Sequence, residues 1–190
     1  MPRILITTVD SPAELDLAML IWAAANRTRP RPAGPQRIER VREKVAEGEV
    51  VLLAHYGARP AGMVLAEAFH EGDPDAPRDG VPGDGTGHLS MIAVDPAVWG
   101  SGVGARLVKE VQGLWPRLSV WIRTDNRRAE RLFAGRGFTD IGNVSQLQDG
   151  EEIRQWIWEP AQTRESVIVE PFGTLAPLPG SLEETKPSPR

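Results

Sequence analysis

The chain contains no cysteine, which removes disulfides, thiolate nucleophiles and sulfur-based metal sites from its chemistry. Its three histidines, His55, His70 and His88, lack ligand spacing, so no metal is expected. Tyrosine is nearly absent: Tyr56 is the only phenol that could give or take a proton. Positive charge is also short, with 22 Lys and Arg against 26 Asp and Glu. A net charge of −4 argues against a protein that grips nucleic-acid phosphates. Long apolar runs are missing too. The opening MPRILITTVD has a brief apolar run closed by Asp10, too short for a signal-peptide core, and no later stretch is long enough to span a bilayer. These absences lead us to expect a soluble cytoplasmic protein with no membrane and no nucleic-acid partner, a monomer or homodimer.

What is present suits one domain and a tail, since 190 residues with 41% hydrophobic content can bury a core of ordinary size. Ile4 to Val9 reads as a short strand. Ser11-Pro12-Ala13-Glu14 then supplies an N-cap, a proline at the first helical position and a capping-box glutamate. Leu15, Ala18, Met19, Trp22 and Ala25 recur on one helical face until the Arg- and Pro-rich stretch 27–35. Ile38, Val41 and Val45 mark a second helix stopped by Gly48. Residues 49–56 and 61–69 read as a hairpin around Gly57-Ala58-Arg59-Pro60. Further strands are expected over 89–94, 118–122, 138–147 and 153–158. A third helix carries Leu107, Val108, Val111, Leu114 and Trp115 on one stripe, and a fourth covers 126–136 with Ala129, Leu132 and Phe133 inward. The segment from Glu71 to Gly87 is long for a connection, and mobility accounts for it more simply than function. From Pro160 onward, prolines and charges suggest a disordered tail, with Ser166 to Val169 and Phe172 as an alternative edge strand.

The most informative stretch is LSMIAVDPAVWGSGVGARLVKEVQG, residues 89–113. An apolar strand meets a turn, then Gly100, Gly102 and Gly104, then an amphipathic helix. Glycines let the backbone approach a ligand closely, and the first helical turn presents unpaired N–H groups with partial positive charge. This is a phosphate cradle, although glycines can also serve only to pack a helix start. A dinucleotide fingerprint is a rival, because Gly100-x-Gly102-x-x-Ala105 fits it and Asp125 stands where a ribose-binding acid would. Against that rival, Asp95 to Trp99 intervene between strand and glycine, and no repeated βαβ series follows.

Strand, turn, the run Trp99-Gly100-Ser101-Gly102-Val103-Gly104-Ala105 and the following helix resemble the acyl-CoA loop of the GCN5-related N-acetyltransferase (GNAT) family. A second block, DNRRAERLFAGRGF, is similar to that family's pattern through Asn126, Ala129, Phe133 and Gly137-Phe138. The resemblance covers residues 1–160 and leaves 161–190 outside. It implies an α/β (α+β) fold: a mixed, mostly antiparallel sheet of six to seven strands flanked by about four helices. It implies acetyl-CoA as co-substrate and transfer of the acetyl group to the primary amine of a small molecule. The backbone of Ile92, Ala93 and Val94 would pair with the pantetheine arm, and residues 99–105 would hold the diphosphate. Asn126 and Phe133 would lie along the arm, Asn126 being equally readable as a helix cap.

Direct attack by an amine needs a base, and the candidates are Glu67, His88 and, less well placed, Glu71. Glu67 is preferred because it interrupts an apolar strand beside the cofactor strand, where desolvation favours proton uptake. Two positions depart from the family pattern. Phe133 stands where a tyrosine often returns a proton to the CoA thiolate, which keeps a non-catalytic acyl-CoA sensor as the alternative. Trp99 stands where Gln or Arg often opens the loop, leaving Arg106 as the nearest cation. Finally, Arg27, Arg29, Arg31 and Arg37 crowd the connection between the first two helices. They suggest an acceptor bearing a carboxylate, such as an amino acid, against the plainer view that they solubilise a loop; the acidic stretch Glu71 to Asp84 would suit polyamines instead.

Overall fold

Ser11 caps the first helix as its sequence dictates: its hydroxyl accepts from the Glu14 backbone N–H, while Glu14 Oε2 accepts from the Asp10 N–H at 3.0 Å and the Ser11 hydroxyl at 2.8 Å. In the computed structural model, which describes residues 2–69, 85–147 and 150–160, this box starts helix α1 (Pro12–Asn26) after strand β1 (Ile4–Thr8). The remaining order is α2 (Pro35–Glu47), β2 (Val50–Tyr56), β3 (Arg59–Ala68), β4 (Thr86–Val94), a 3-10 turn (Pro96–Val98), α3 (Val103–Gln112), β5 (Arg117–Arg123), α4 (Arg127–Ala134), β6 (Thr139–Gln146) and β7 (Glu152–Trp158). Glu71, the acidic stretch through Asp84 and everything from residue 161 lie outside the described residues.

The strands form one seven-stranded sheet in the order β1-β2-β3-β4-β5-β7-β6. Only β4 and β5 pair in parallel; every other neighbour is antiparallel. Alternation along the strands divides the core between two faces. Val64 and Ala66 of β3 pack with Leu107, Val108 and Phe133 of α3 and α4. Met63 and Leu65 pack with Ala18, Met19 and Val45 of α1 and α2. The α3 stripe of Val103, Leu107, Val108 and Val111 is at most 1% exposed, and such side chains each contribute about 1.5–3 kcal/mol when fully buried.

Three sequence expectations need correction. Leu114 is not on the inner stripe: α3 ends at Gln112, and Leu114 is 52% exposed. Ile38, expected on the inner face of α2, is exposed, and Val45 is that helix's buried residue. Strand β4 starts at Thr86 rather than Leu89, because Gly87 lets the chain pass under Trp115, where a Cβ would stand 2.4 Å from the indole.

The central feature is the partial separation of β4 from β5. Their parallel pairing runs from Thr86 opposite Arg117 to Leu89 opposite Val120 and then stops, although β4 continues to Val94 and β5 to Arg123. A bulge sits at the same point. Leu65 of β3 faces Met91 and Ala66 faces Leu89, which leaves Ser90 as the extra residue.

Candidate active site

Beyond the bulge, the direction of each backbone group on β4 follows from one bond. Asp95 N–H donates to the Ala61 carbonyl on the β3 side, so by strand alternation Ala93 also turns its N–H and C=O toward β3. Ile92 and Val94 therefore turn theirs toward the edge that β5 has left. Of the three residues expected to meet a strand-like ligand, Ala93 is the exception: its backbone faces Met63 and its side chain is in the core.

The loop after β4 has the geometry of an anion cradle. Gly100 (φ +81°) and Gly102 (φ +90°) occupy the left-handed region that other residues adopt only with strain, and Gly102 caps α3. A Cβ at Gly100 would meet nothing within 4 Å, so the loop is open on that side, whereas one at Gly104 would press on Leu132 at 3.3 Å. The first N–H groups of α3, from Val103, Gly104 and Ala105, lie beyond the reach of intrahelical carbonyls. The Ser101 hydroxyl is buried with no hydrogen-bond partner among the described residues. Val103 takes part only through its backbone, since its side chain is in the core. Open left-handed glycines, bare helical donors and an unspent hydroxyl suit a diphosphate. Arg106 is exposed and pairs with Glu110 at 2.7 Å.

Trp99 does more than replace a polar residue. Its indole N–H donates to the Val94 carbonyl at 2.9 Å, and the Arg128 guanidinium lies 3.3 Å from the ring centroid. Asn126 caps α4, its side-chain oxygen accepting from the Ala129 N–H at 3.1 Å. Phe133 is 1% exposed and packs edge-to-face on Phe138, so it presents almost no surface to a ligand.

Glu67 occupies the α1/α2 face of β3, next to the bulge. The Ser90 hydroxyl donates to Glu67 Oε2 at 2.6 Å, and Lys44 Nζ from α2 lies 3.5 Å from the same oxygen. Its surroundings are thus polar and charged, not the apolar setting that its neighbours in sequence imply. His88 lies opposite Glu67, on the paired part of β4, with Nδ1 2.7 Å from the Ser119 hydroxyl and its ring edge-on to Phe69.

Of the four arginines expected in the α1–α2 connection, Arg37 lies in the first turn of α2, and Arg29 and Arg31 do not act alike. Arg29 bonds both oxygens of Glu151, at 3.2 and 3.0 Å, and the Arg123 Nε at the end of β5 binds the same carboxylate. Burial, and secondly the nearness of Arg29, hold the Arg123 pKa below its ordinary value, while Glu151 acts in the opposite sense. Arg31 instead lines a shallow cavity of about 300 Å³ with Pro30, Thr124, Asp125, Glu151 and Glu152. On the same face, Trp121 and Gln155 are register partners whose indole and amide N–H groups are buried without acceptors among the described residues.

Ser90, Lys44, Arg123, Glu151 and Arg128 were missed by the sequence reading. Ser90 had a detectable signal, a hydroxyl within the apolar run Leu89 to Val94. The others are joined to their partners by folding, not by spacing. Among the described residues, no group of three or more His, Cys, Asp or Glu is placed to hold a metal, and no helix is long and apolar enough to cross a membrane.

The sequence profile of the acetyltransferase (GNAT) family matches residues 16–138. A mycothiol acetyltransferase from Kineococcus radiotolerans is 38% identical over 71 residues, a match that spans 35% of this chain and 23% of that protein's length. Among solved structures, the ribosomal-protein-S18-alanine N-acetyltransferase from Escherichia coli superposes with a TM-score of 0.60 at 16% identity, covering 87% of this chain and 99% of its own. The NatC complex bound to Gag peptide and CoA superposes with a TM-score of 0.56 at 16% identity, over 83% and 98%.

Proposed function

The chain belongs to the acetyltransferase (GNAT) family, and on that premise we propose that it is an N-acetyltransferase, moving an acetyl group from acetyl-CoA to the primary amine of a small molecule. The observation that carries this reading is the departure of β5 from β4 after Leu89 and Val120, which bares the Ile92 backbone and the Val94 N–H beside an open glycine cradle, the Val94 carbonyl being taken by the Trp99 indole. The presence of CoA in the NatC structure, which shares the fold, supports acetyl-CoA as donor. Bound there, it supplies an activated thioester.

The chain's own groups then divide the work. The first N–H groups of α3 bind the diphosphate, and the backbone of Ile92 and Val94 holds the arm as an added strand. One of these two N–H groups stabilises the negative charge that develops on the thioester oxygen, a term of about 2.7–4 kcal/mol per donor. Glu67 serves as base through Ser90: the hydroxyl takes the amine proton and passes its own to Glu67 Oε2, to which it already donates. Phe133 offers no hydroxyl to the departing thiolate, whose ordinary pKa of about 8.5 makes it a tolerable leaving group without one.

The acceptor we favour is an amino acid or an analogue with a carboxylate. Two partly buried guanidiniums, Arg29 and Arg123, converge on the Glu151 carboxylate beside the cavity that Arg31 lines, and these arginines are the cationic partners an acceptor carboxylate would find there. Phe133 favours a second reading, an acyl-CoA sensor that transfers nothing. Titration calorimetry with acetyl-CoA, followed by free-CoA release over a panel of amino acids, polyamines and peptide N-termini, decides among them. Binding with release for amino acids supports the enzyme and its acceptor class. Binding without release supports the sensor, release with peptides or polyamines alone overturns the acceptor class, and no binding overturns both readings.

A further inference from the structure

Trp99 occupies the position where, in the family pattern, a basic or amide side chain often opens the loop. The fold brings a cation to the same point from elsewhere. Arg128, in the first turn of α4, lays its guanidinium on the face of Trp99 at 3.3 Å, immediately before Gly100. The ring is held in turn by its indole N–H on the Val94 carbonyl. Trp99 thus has its edge anchored to the end of β4 and its face supporting a cation.

Two further facts mark Arg128 as held for an anion. A cation in the first turn of a helix lies against the positive end of the macrodipole, so the position is unfavourable for an arginine without another partner. Its neighbour Arg127 has one in Glu130 at 2.8 Å, and Arg106 has Glu110. Arg128 has neither ion pair nor hydrogen bond among the described residues, only the ring. Cation–π contact leaves the in-plane N–H donors of a guanidinium free, and their fork geometry matches phosphate oxygens.

We propose that Arg128, positioned by Trp99, binds the diphosphate of the acyl-CoA at the glycine cradle, supplying from α4 the charge that the loop itself lacks. This rests on the acyl-CoA reading above. The test is titration calorimetry of CoA and dephospho-CoA against wild type, Arg128→Ala, Trp99→Ala, Trp99→Phe, and Arg128→Ala combined with Trp99→Arg. Arg128→Ala is expected to weaken both ligands about tenfold or more and to flatten the salt dependence of binding. Trp99→Ala should do the same to a lesser degree, while Trp99→Phe, which keeps the face, should largely retain affinity. Arginine at position 99 should restore binding to the Arg128→Ala chain, an outcome that a merely structural role would not produce. If wild type binds no CoA, the acyl-CoA reading itself fails. If wild type binds and Arg128→Ala binds equally, if the loss vanishes with dephospho-CoA, or if Trp99→Arg restores nothing, this inference is overturned and the acyl-CoA reading stands.

Discussion

Ser90 and Glu67 are joined by a 2.6 Å hydrogen bond across β4 and β3, at the bulge where β4 begins to part from β5. The bulge displaces a single residue, and that residue carries the hydroxyl that links the carboxylate to the open edge. Glu67→Gln is therefore expected to lower kcat by about 10²-fold or more at neutral pH. Ser90→Ala should lower kcat by about tenfold and leave the acetyl-CoA KM unchanged. Full turnover by Glu67→Gln would exclude this base.

Position 102 separates backbone strain from charge. Asparagine tolerates a positive φ better than other side chains, and aspartate differs from it mainly by a carboxylate. Gly102→Asn should retain most of the acetyl-CoA affinity, with a stability loss of about 1 kcal/mol, while Gly102→Asp should lose binding by calorimetry. Equal binding by the two variants would show that no anion sits there.

Phe133→Tyr asks whether a hydroxyl at this position can assist the reaction. The ring is 1% exposed and packed on Phe138, so an added hydroxyl would be buried without an obvious partner. A loss of about 1–3 kcal/mol in denaturant unfolding, with no gain in kcat, is expected. A rise in kcat would mean that the ring reaches the reacting atoms.

Glu151→Gln would leave Arg29 and Arg123 facing each other, partly buried, with no carboxylate between them. Losing one partner of such a cluster costs about 2–4 kcal/mol, because the remaining charges are left uncompensated. Urea unfolding measures it. Arg29→Ala should cost less, since Arg123 keeps Glu151 paired.

Acid should weaken the start of α1. The hydrogen bond from the Ser11 hydroxyl, and then that from the Asp10 N–H, hold the Glu14 pKa below the ordinary carboxylate value. A depressed folded-state pKa gives stability that is present above the unfolded value and lost as pH falls through the folded one. Melting curves between pH 3 and pH 7 (about that range, set by the ordinary glutamate pKa) should fall less steeply with acid for Glu14→Gln than for wild type.

Local chemistry made much of the fold legible. Ser11 to Glu14, the Gly57 turn and the glycines before α3 each specify backbone geometry within a few residues, and the elements appear where those signals stand. Leu114 was misread because helical periodicity continues on paper after Gly113 has ended the helix. The candidate site was legible where it is made of backbone, at Ile92, Val94 and residues 100–105. It was not legible where side chains meet across elements. Lys44 reaches Glu67 only because α2 lies over β3, and Arg128 reaches Trp99 only because α4 follows β5 back to the β4–α3 loop.

The short parallel pairing of β4 with β5 also makes the sheet mechanically uneven. Four residue pairs, Thr86–Arg117 to Leu89–Val120, stitch the strands β1 to β4 to the strands β5 to β7. Every antiparallel seam has five or more. A ligand arm lying along Ile92 and Val94 would lengthen the weakest seam, so occupancy would act as a brace. Amide protons flanking the splay should exchange more slowly when it is filled, and the two half-sheets should then open together rather than one at a time.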